Sequence, residues 1–76
     1  MTPSAGPVAV IGEQARVQGF ALAGAVVMVA DDEAAVRSQW ASLPADVPVV
    51  VLTPSAAVAL GHLTADDGRL IVVMPP

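Results

Sequence analysis

The 76-residue chain has no cysteine and no lysine. Without cysteine there is neither a disulfide nor a thiolate metal site, so the fold must hold by packing alone, and a reducing compartment, the cytoplasm, is the expected setting. Without lysine the basic charge is confined to Arg16, Arg37 and Arg69, far apart in sequence and set against seven acids for a formal charge of −4. No basic cluster can form to track a phosphate backbone, which argues against nucleic-acid binding, and docking on anionic lipid is disfavoured for the same reason. A long apolar run is missing too. The hydrophobic fraction is 55% and the mean hydropathy +0.72, yet the longest uninterrupted stretch, Phe20 to Ala30, has eleven residues and contains Gly24. A bilayer-spanning helix needs about twenty. The start, MTPSAGP, lacks a basic residue ahead of an apolar core and so does not read as a secretory signal. Residues 1–6 are expected to be a flexible leader, and 7–76 a single α/β domain, near the size where one core suffices.

What remains is an apolar chain cut into short runs. PVAVI (Pro7 to Ile11) is β-branched and stopped by Gly12, which reads as a first strand. Glu13 to Ala23 places apolar residues about a turn apart and is followed by Gly24, where a left-handed cap is expected; this is a first helix with a weak point at Gly19. AVVMVA (Ala25 to Ala30) is a second strand. Asp31, Asp32 and Glu33 then put negative charge at a helix start, where the macrodipole favours it. The second helix is expected to reach about Leu43, with Val36, Trp40 and Leu43 on one face and Pro44 as its stop. VPVVVLT (Val47 to Thr53) is a third strand, Thr53 and Pro54 form an N-cap with proline in the first helical position, and the third helix should carry Ala56, Leu60 and Leu63 on one face. TADDG (Thr64 to Gly68) is turn chemistry, and LIVVM (Leu70 to Met74) is a fourth strand.

Strands alternating with helices imply a parallel sheet with right-handed crossovers. The expected architecture is a small flavodoxin-like three-layer α/β sandwich, βαβαβαβ, with strand order 2-1-3-4. Strands of continuous apolar sequence are expected to be buried on both faces. In that order the first helix covers strands one and two only, so alternate residues of strands three and four should be bare on one side. Either Leu70, Val72 and Met74 or Ile71 and Val73 form that bare set.

Ligands of such sheets bind beyond the carboxyl ends of the strands where the order reverses, here the loops Gly12 to Gln14 and Thr53 to Ser55. Known chemistries fail there. A Walker loop needs Lys and Ser or Thr after its second glycine, and Gly19 is followed by Phe20; a dinucleotide fingerprint needs glycines closer than Gly12, Gly19 and Gly24. A phosphate-accepting receiver domain needs an aspartate where Thr53 stands, and a lysine. Asp31 and Asp32 read as capping residues rather than cation ligands. His62 has neither a nucleophile nor soft ligands nearby, and reads as meeting the last carbonyls of its helix. Trp40, at helical spacing with Val36 and Leu43, reads as core. No catalytic, cofactor-binding or metal-binding set emerges.

One pattern is left: VAVIGEQARVQGFALAGA, with a glycine and a phenylalanine inside a helix. It resembles the F subunit of the V-type and archaeal A-type rotary ATPases, a family with a first strand ending in Ile-Gly, the signature Gly-Phe-x-Leu-x-Gly, a valine-rich second strand and an acidic start to the second helix. The matching residues are Ile11, Gly12, Gly19, Phe20, Leu22 and Gly24, followed by Asp31 and Glu33. The resemblance implies a non-catalytic central-stalk (rotor) component that binds the D subunit and other stalk subunits, modulates ATP hydrolysis or synthesis coupled to ion transport, has no cofactor, and meets the membrane only through the complex. Family members usually continue after the fourth strand into a helix that is not in this sequence, which is then either a shortened relative or a part of a longer chain; in both cases the strand order alone leads us to expect the bare sheet face to meet a second copy or a partner helix. The signature residues Gly12, Gly19, Phe20, Leu22 and Gly24 are expected to be structural or partner-facing: Gly19 lets the first helix pack closely on the sheet or else touches a partner, and Phe20 is either core or part of the interface with the D subunit. The rival readings are a stand-alone interaction or regulatory module of the same shape, and a small ligand-binding domain or enzyme with a molecule at Gly12 to Gln14 or Thr53 to Ser55.

Overall fold

The computed structural model describes residues 7–65 and 68–76, leaving aside the side chains at 21–23. It contains four strands, β1 (Val8–Gly12), β2 (Val26–Val29), β3 (Val49–Leu52) and β4 (Leu70–Val73), in one all-parallel sheet of order β2-β1-β3-β4. The chain has the small flavodoxin-like α/β fold. Three α-helices, α1 (Gln14–Val17), α2 (Glu33–Ala41) and α3 (Pro54–Leu60), alternate with the strands. Proline at the first position of α3 and Thr53 before it, accepting the Ala56 N–H at 3.3 Å, start that helix as the sequence implies. Asp32 does the same for α2, accepting from Ala35 N at 2.7 Å.

The two sides of the sheet are filled unequally. On one side α2 and α3 pack on each other and on β1, β2 and β3. Ala9 and Ile11 of β1 and Val50 and Leu52 of β3 point into that layer and are fully buried, joined there by Val36, Leu43, Ala56 and Leu60. On the other side α1 and the 3₁₀ segment after it cover β1 and β2, burying Val10 and Val17. Strand pairing puts Val49 and Val51 beside Leu70 and Val72, and period-two alternation turns these toward the side where α1 does not reach. Leu70 is 62% exposed and Val72 43%. Leu70 and Val72 are thus bare on that side, whereas Met74, next in the alternation, is half-buried, and Val73 on the opposite face is also exposed.

Several expectations need correction. Strands buried on both faces describe β1 alone: β2 and β4 are the sheet's edges and remain half-buried or exposed over most of their length. The first helix is only four residues of α-helix, giving way at Gln18 to a 3₁₀ segment through Ala23. Glycine at 19 is a poor helix former, and the tighter winding is a common way to end one. Gly24 then takes φ +87°, as a left-handed cap requires. Gly19 itself has open space where a Cβ would stand, so it does not serve close packing. Phe20 is half-buried rather than core. The second helix ends at Ala41, two residues short of Leu43, which is nevertheless buried. Leu63 leaves the α3 face because Gly61 turns the chain at φ +53°, and it is 42% exposed in a second 3₁₀ segment, Gly61–Thr64. The leader 1–6 and the turn residues Asp66 and Asp67 lie outside the described residues. Among those described, no helix is long and apolar enough to cross a membrane.

Candidate functional site

At the point where the strand order reverses, the loops after β1 and β3 lie side by side. Gly12 ends β1 because nothing larger fits: a Cβ there would run into Thr53 Cγ2 and stand 2.6 Å from Thr53 Oγ1. Thr53 is the one buried polar side chain among the described residues, with no exposed surface. Its hydroxyl donates to Glu13 Oε1 at 2.5 Å while accepting from Ala56 N. Ser55, in the first turn of α3, donates to the same carboxylate oxygen at 2.7 Å. Burying a hydroxyl is costly unless it is bonded, and here both its donor and its acceptor capacity are used.

The result is a closed cluster. Glu13 leaves β1, crosses the crevice and sets its negative charge against the amino end of α3, where the helix dipole favours an anion. The hydroxyls of Thr53 and then Ser55 hold its carboxyl below the usual glutamate range, with its own backbone N–H and Arg16 adding to the effect. A second carboxylate ties the adjacent loop, Asp31 Oδ1 accepting from Gln14 N at 3.1 Å. It thereby caps α1, whose N-cap residue Glu13 is engaged elsewhere.

Next to this cluster, between α2 and α3, is a shallow cleft of about 230 Å³ lined by Ala30, Asp31, Asp32, Glu33, Ser55 and Val58 among others. Its polar groups are committed: Asp32 caps α2, Glu33 pairs with Arg37 at 2.8 Å, and Ser55 bonds Glu13. No group of three or more metal-ligating side chains occurs among the described residues.

The sequence-predicted signature residues separate. Gly12 is at the crevice, whereas Gly19, Phe20 and Gly24 lie along the 3₁₀ segment beside β2; Leu22 belongs there by sequence, but its side chain is outside what is described. His62 is exposed in the second 3₁₀ segment, and no hydrogen bond joins its ring to the end of α3. Trp40 is half-buried against the core edge with the Arg69 guanidinium 5.7 Å from its ring centroid. Arg69 also donates to the carbonyls of Val47 at 3.0 Å and Pro44 at 3.1 Å. Sequence reasoning missed both the Glu13 bridge and the Arg69 clamp. For Glu13 the signal was present: a carboxylate directly after β1 and two hydroxyls directly after β3 meet whenever β1 and β3 are neighbours.

No protein-family model matches the chain, and no curated protein matches it.

Proposed function

We propose that the chain is a non-catalytic protein-interaction component of the F-subunit kind, acting in the central stalk of a V/A-type rotary ATPase, with the D subunit of that motor as its partner. The observation that carries the non-catalytic part is the Glu13 carboxylate held by Thr53 and Ser55 in the crevice where this fold otherwise receives a ligand. A phosphate approaching the amino end of α3 meets a fixed negative charge, and the Thr53 and Ser55 hydroxyls and the Ala56 N–H are already bonded. The stalk assignment rests on the residue pattern Ile11, Gly12, Gly19, Phe20, Leu22 and Gly24. The open space around Gly19 and the half-exposed ring of Phe20 favour a partner-facing role for that pattern over an internal packing role. In this reading the protein works in the cytoplasm and is peripheral to the membrane through the complex.

A stand-alone interaction module is the second reading, favoured by the bare β3–β4 flank, which offers a surface whether or not a motor is present. Co-purification with the D subunit of the same host separates the two. The stalk reading expects a stoichiometric complex that Phe20→Ala weakens at least tenfold while the free protein stays folded. Absence of any complex with the D subunit would overturn it and leave the stand-alone module.

A further inference from the structure

The open edge of the sheet at β4 carries an inference that rests on sheet geometry and not on the stalk reading. Leu70 N donates to Pro48 O and Met74 N to Leu52 O. In a parallel ladder these residues and Val72 between them direct both backbone groups inward to β3. Ile71 and Val73 therefore direct their N–H and C=O groups outward, toward an edge that nothing among the described residues pairs.

Among the described residues that edge has none of the usual protections. Natural edge strands are blunted by lysine, an internal proline, a bulge or a covering helix. LIVV has no charge and no proline, its register with β3 is unbroken, and α3 packs on β1 and β3 instead. Three of the eight large apolar side chains exposed among the described residues, Leu70, Val72 and Val73, fall within these four residues, on both faces of the strand. The other edge, β2, is flanked by α2 on one side and by α1 and its 3₁₀ extension on the other, so a second sheet could reach it only past helices.

We propose that two copies of this chain join along β4, antiparallel and related by a two-fold axis at Val72, to make one continuous eight-stranded sheet. The occupant is a second copy because the edge is complementary to itself. With Val72 opposite its own counterpart, Ile71 of each copy faces Val73 of the other, and both are of the kind that exchange two hydrogen bonds across an antiparallel pair. All the outward backbone groups of the strand are then satisfied by four bonds. A parallel arrangement needs a one-residue stagger that a two-fold axis does not supply, so it would not close. Charge points the same way. Glu13, Asp31 and Asp32 sit beyond the carboxyl ends of β1 and β2, and antiparallel joining sends these acidic ends of the two copies to opposite ends of the sheet. The bare faces of β3 and β4 from both copies then form one floor, on which Leu70 of each copy lies against Met74 of the other. The contact is short and each copy carries a formal −4, so association is reversible on dilution and strengthens as added salt screens the repulsion.

Sedimentation velocity across a dilution series, with amide hydrogen exchange at both ends of it, tests this. The expected mass rises from 7.6 kDa to twice that with concentration and with salt, and the Ile71 and Val73 amides gain at least tenfold protection in step. Val72→Lys, which sets two ammonium groups against each other at the axis, should abolish the rise, while Val58→Lys, at an 82% exposed site on α3, should leave it intact. A chain that stays at 7.6 kDa throughout overturns the proposal. So does a dimer in which the Ile71 and Val73 amides exchange as fast as in the monomer, because that dimer stacks faces or uses another surface. The exchange measurement needs no variant, and neither result bears on binding to the D subunit.

Discussion

The two sides of β3 are built from nearly the same residues and live in different surroundings. Val50 and Leu52 point toward α2 and α3 and are fully buried; Val49 and Val51 point the other way and are only half-buried, because α1 stops at β1 and β2. Side-chain chemistry does not distinguish them, and helix placement does. One side of the strand supplies stability. The other leaves apolar surface open, the surface that our proposals assign to a partner or a second copy, and the crevice at the strand's carboxyl end, filled by Glu13, belongs with the first.

That contrast is most directly broken by paired truncations. Leu52→Ala removes a fully buried side chain and is expected to cost about 3 to 4 kcal/mol, whereas Val51→Ala on the opposite side should cost about 1 kcal/mol or less, both read from chemical denaturation midpoints. Equal costs would mean that the α1 side is packed as tightly as the other. Gly12→Ala follows at about 3 kcal/mol, the upper end for overpacking, since the new methyl group has Thr53 in its way and neither β1 nor β3 can move alone. A neutral result would show that the crevice has slack.

A smaller effect comes from pH. Glu13 has its carboxyl lowered in the folded state by Thr53 first and Ser55 second, so the unfolded chain binds the proton more readily and stability rises with pH through the acidic range. The contribution is complete above the ordinary glutamate value of about 4.3 and is lost as pH falls through the lowered folded value. Glu13→Gln should flatten that part of the stability–pH profile, measured by thermal unfolding from neutral pH downward; an unchanged slope would mean the bridge does not persist in solution. The smallest effect is expected at Gly19. Alanine there has room and a better helix propensity, so Gly19→Ala should change stability by less than about 1 kcal/mol, in the favourable direction. A loss beyond that would restore the close-packing role the sequence suggests.

Element types, their order and the strand order were legible because glycine and proline punctuate this chain at nearly every boundary: Gly12, Gly24, Pro44, Pro54 and Gly68 each end or begin a segment. The caps at Asp32 and Thr53 were legible for the same local reason. The half-burial of Phe20 was not, since an apolar residue at helical spacing reads alike whether the helix winds as α or tightens into 3₁₀ over a sheet edge. The bare set on β4 was not either. In LIVV both alternations are apolar, and only the register with β3 assigns Leu70 and Val72 to the empty side. The crevice was partly legible, with Gly12 and Thr53 placed at the switch point. Its filling by Glu13 depends on a contact between residues forty apart, which periodicity does not carry.

The central claim is that the switch-point crevice is occupied by the protein's own carboxylate, leaving the fold to act through its surfaces. The melting temperature in the presence of millimolar magnesium-ATP, FMN or NAD tests it most directly, because any ligand that binds the native state alone must raise it. The account predicts no shift with any of the three. A saturable rise with one of them, abolished by a substitution at Ser55 or Thr53 that leaves the fold intact, would contradict it.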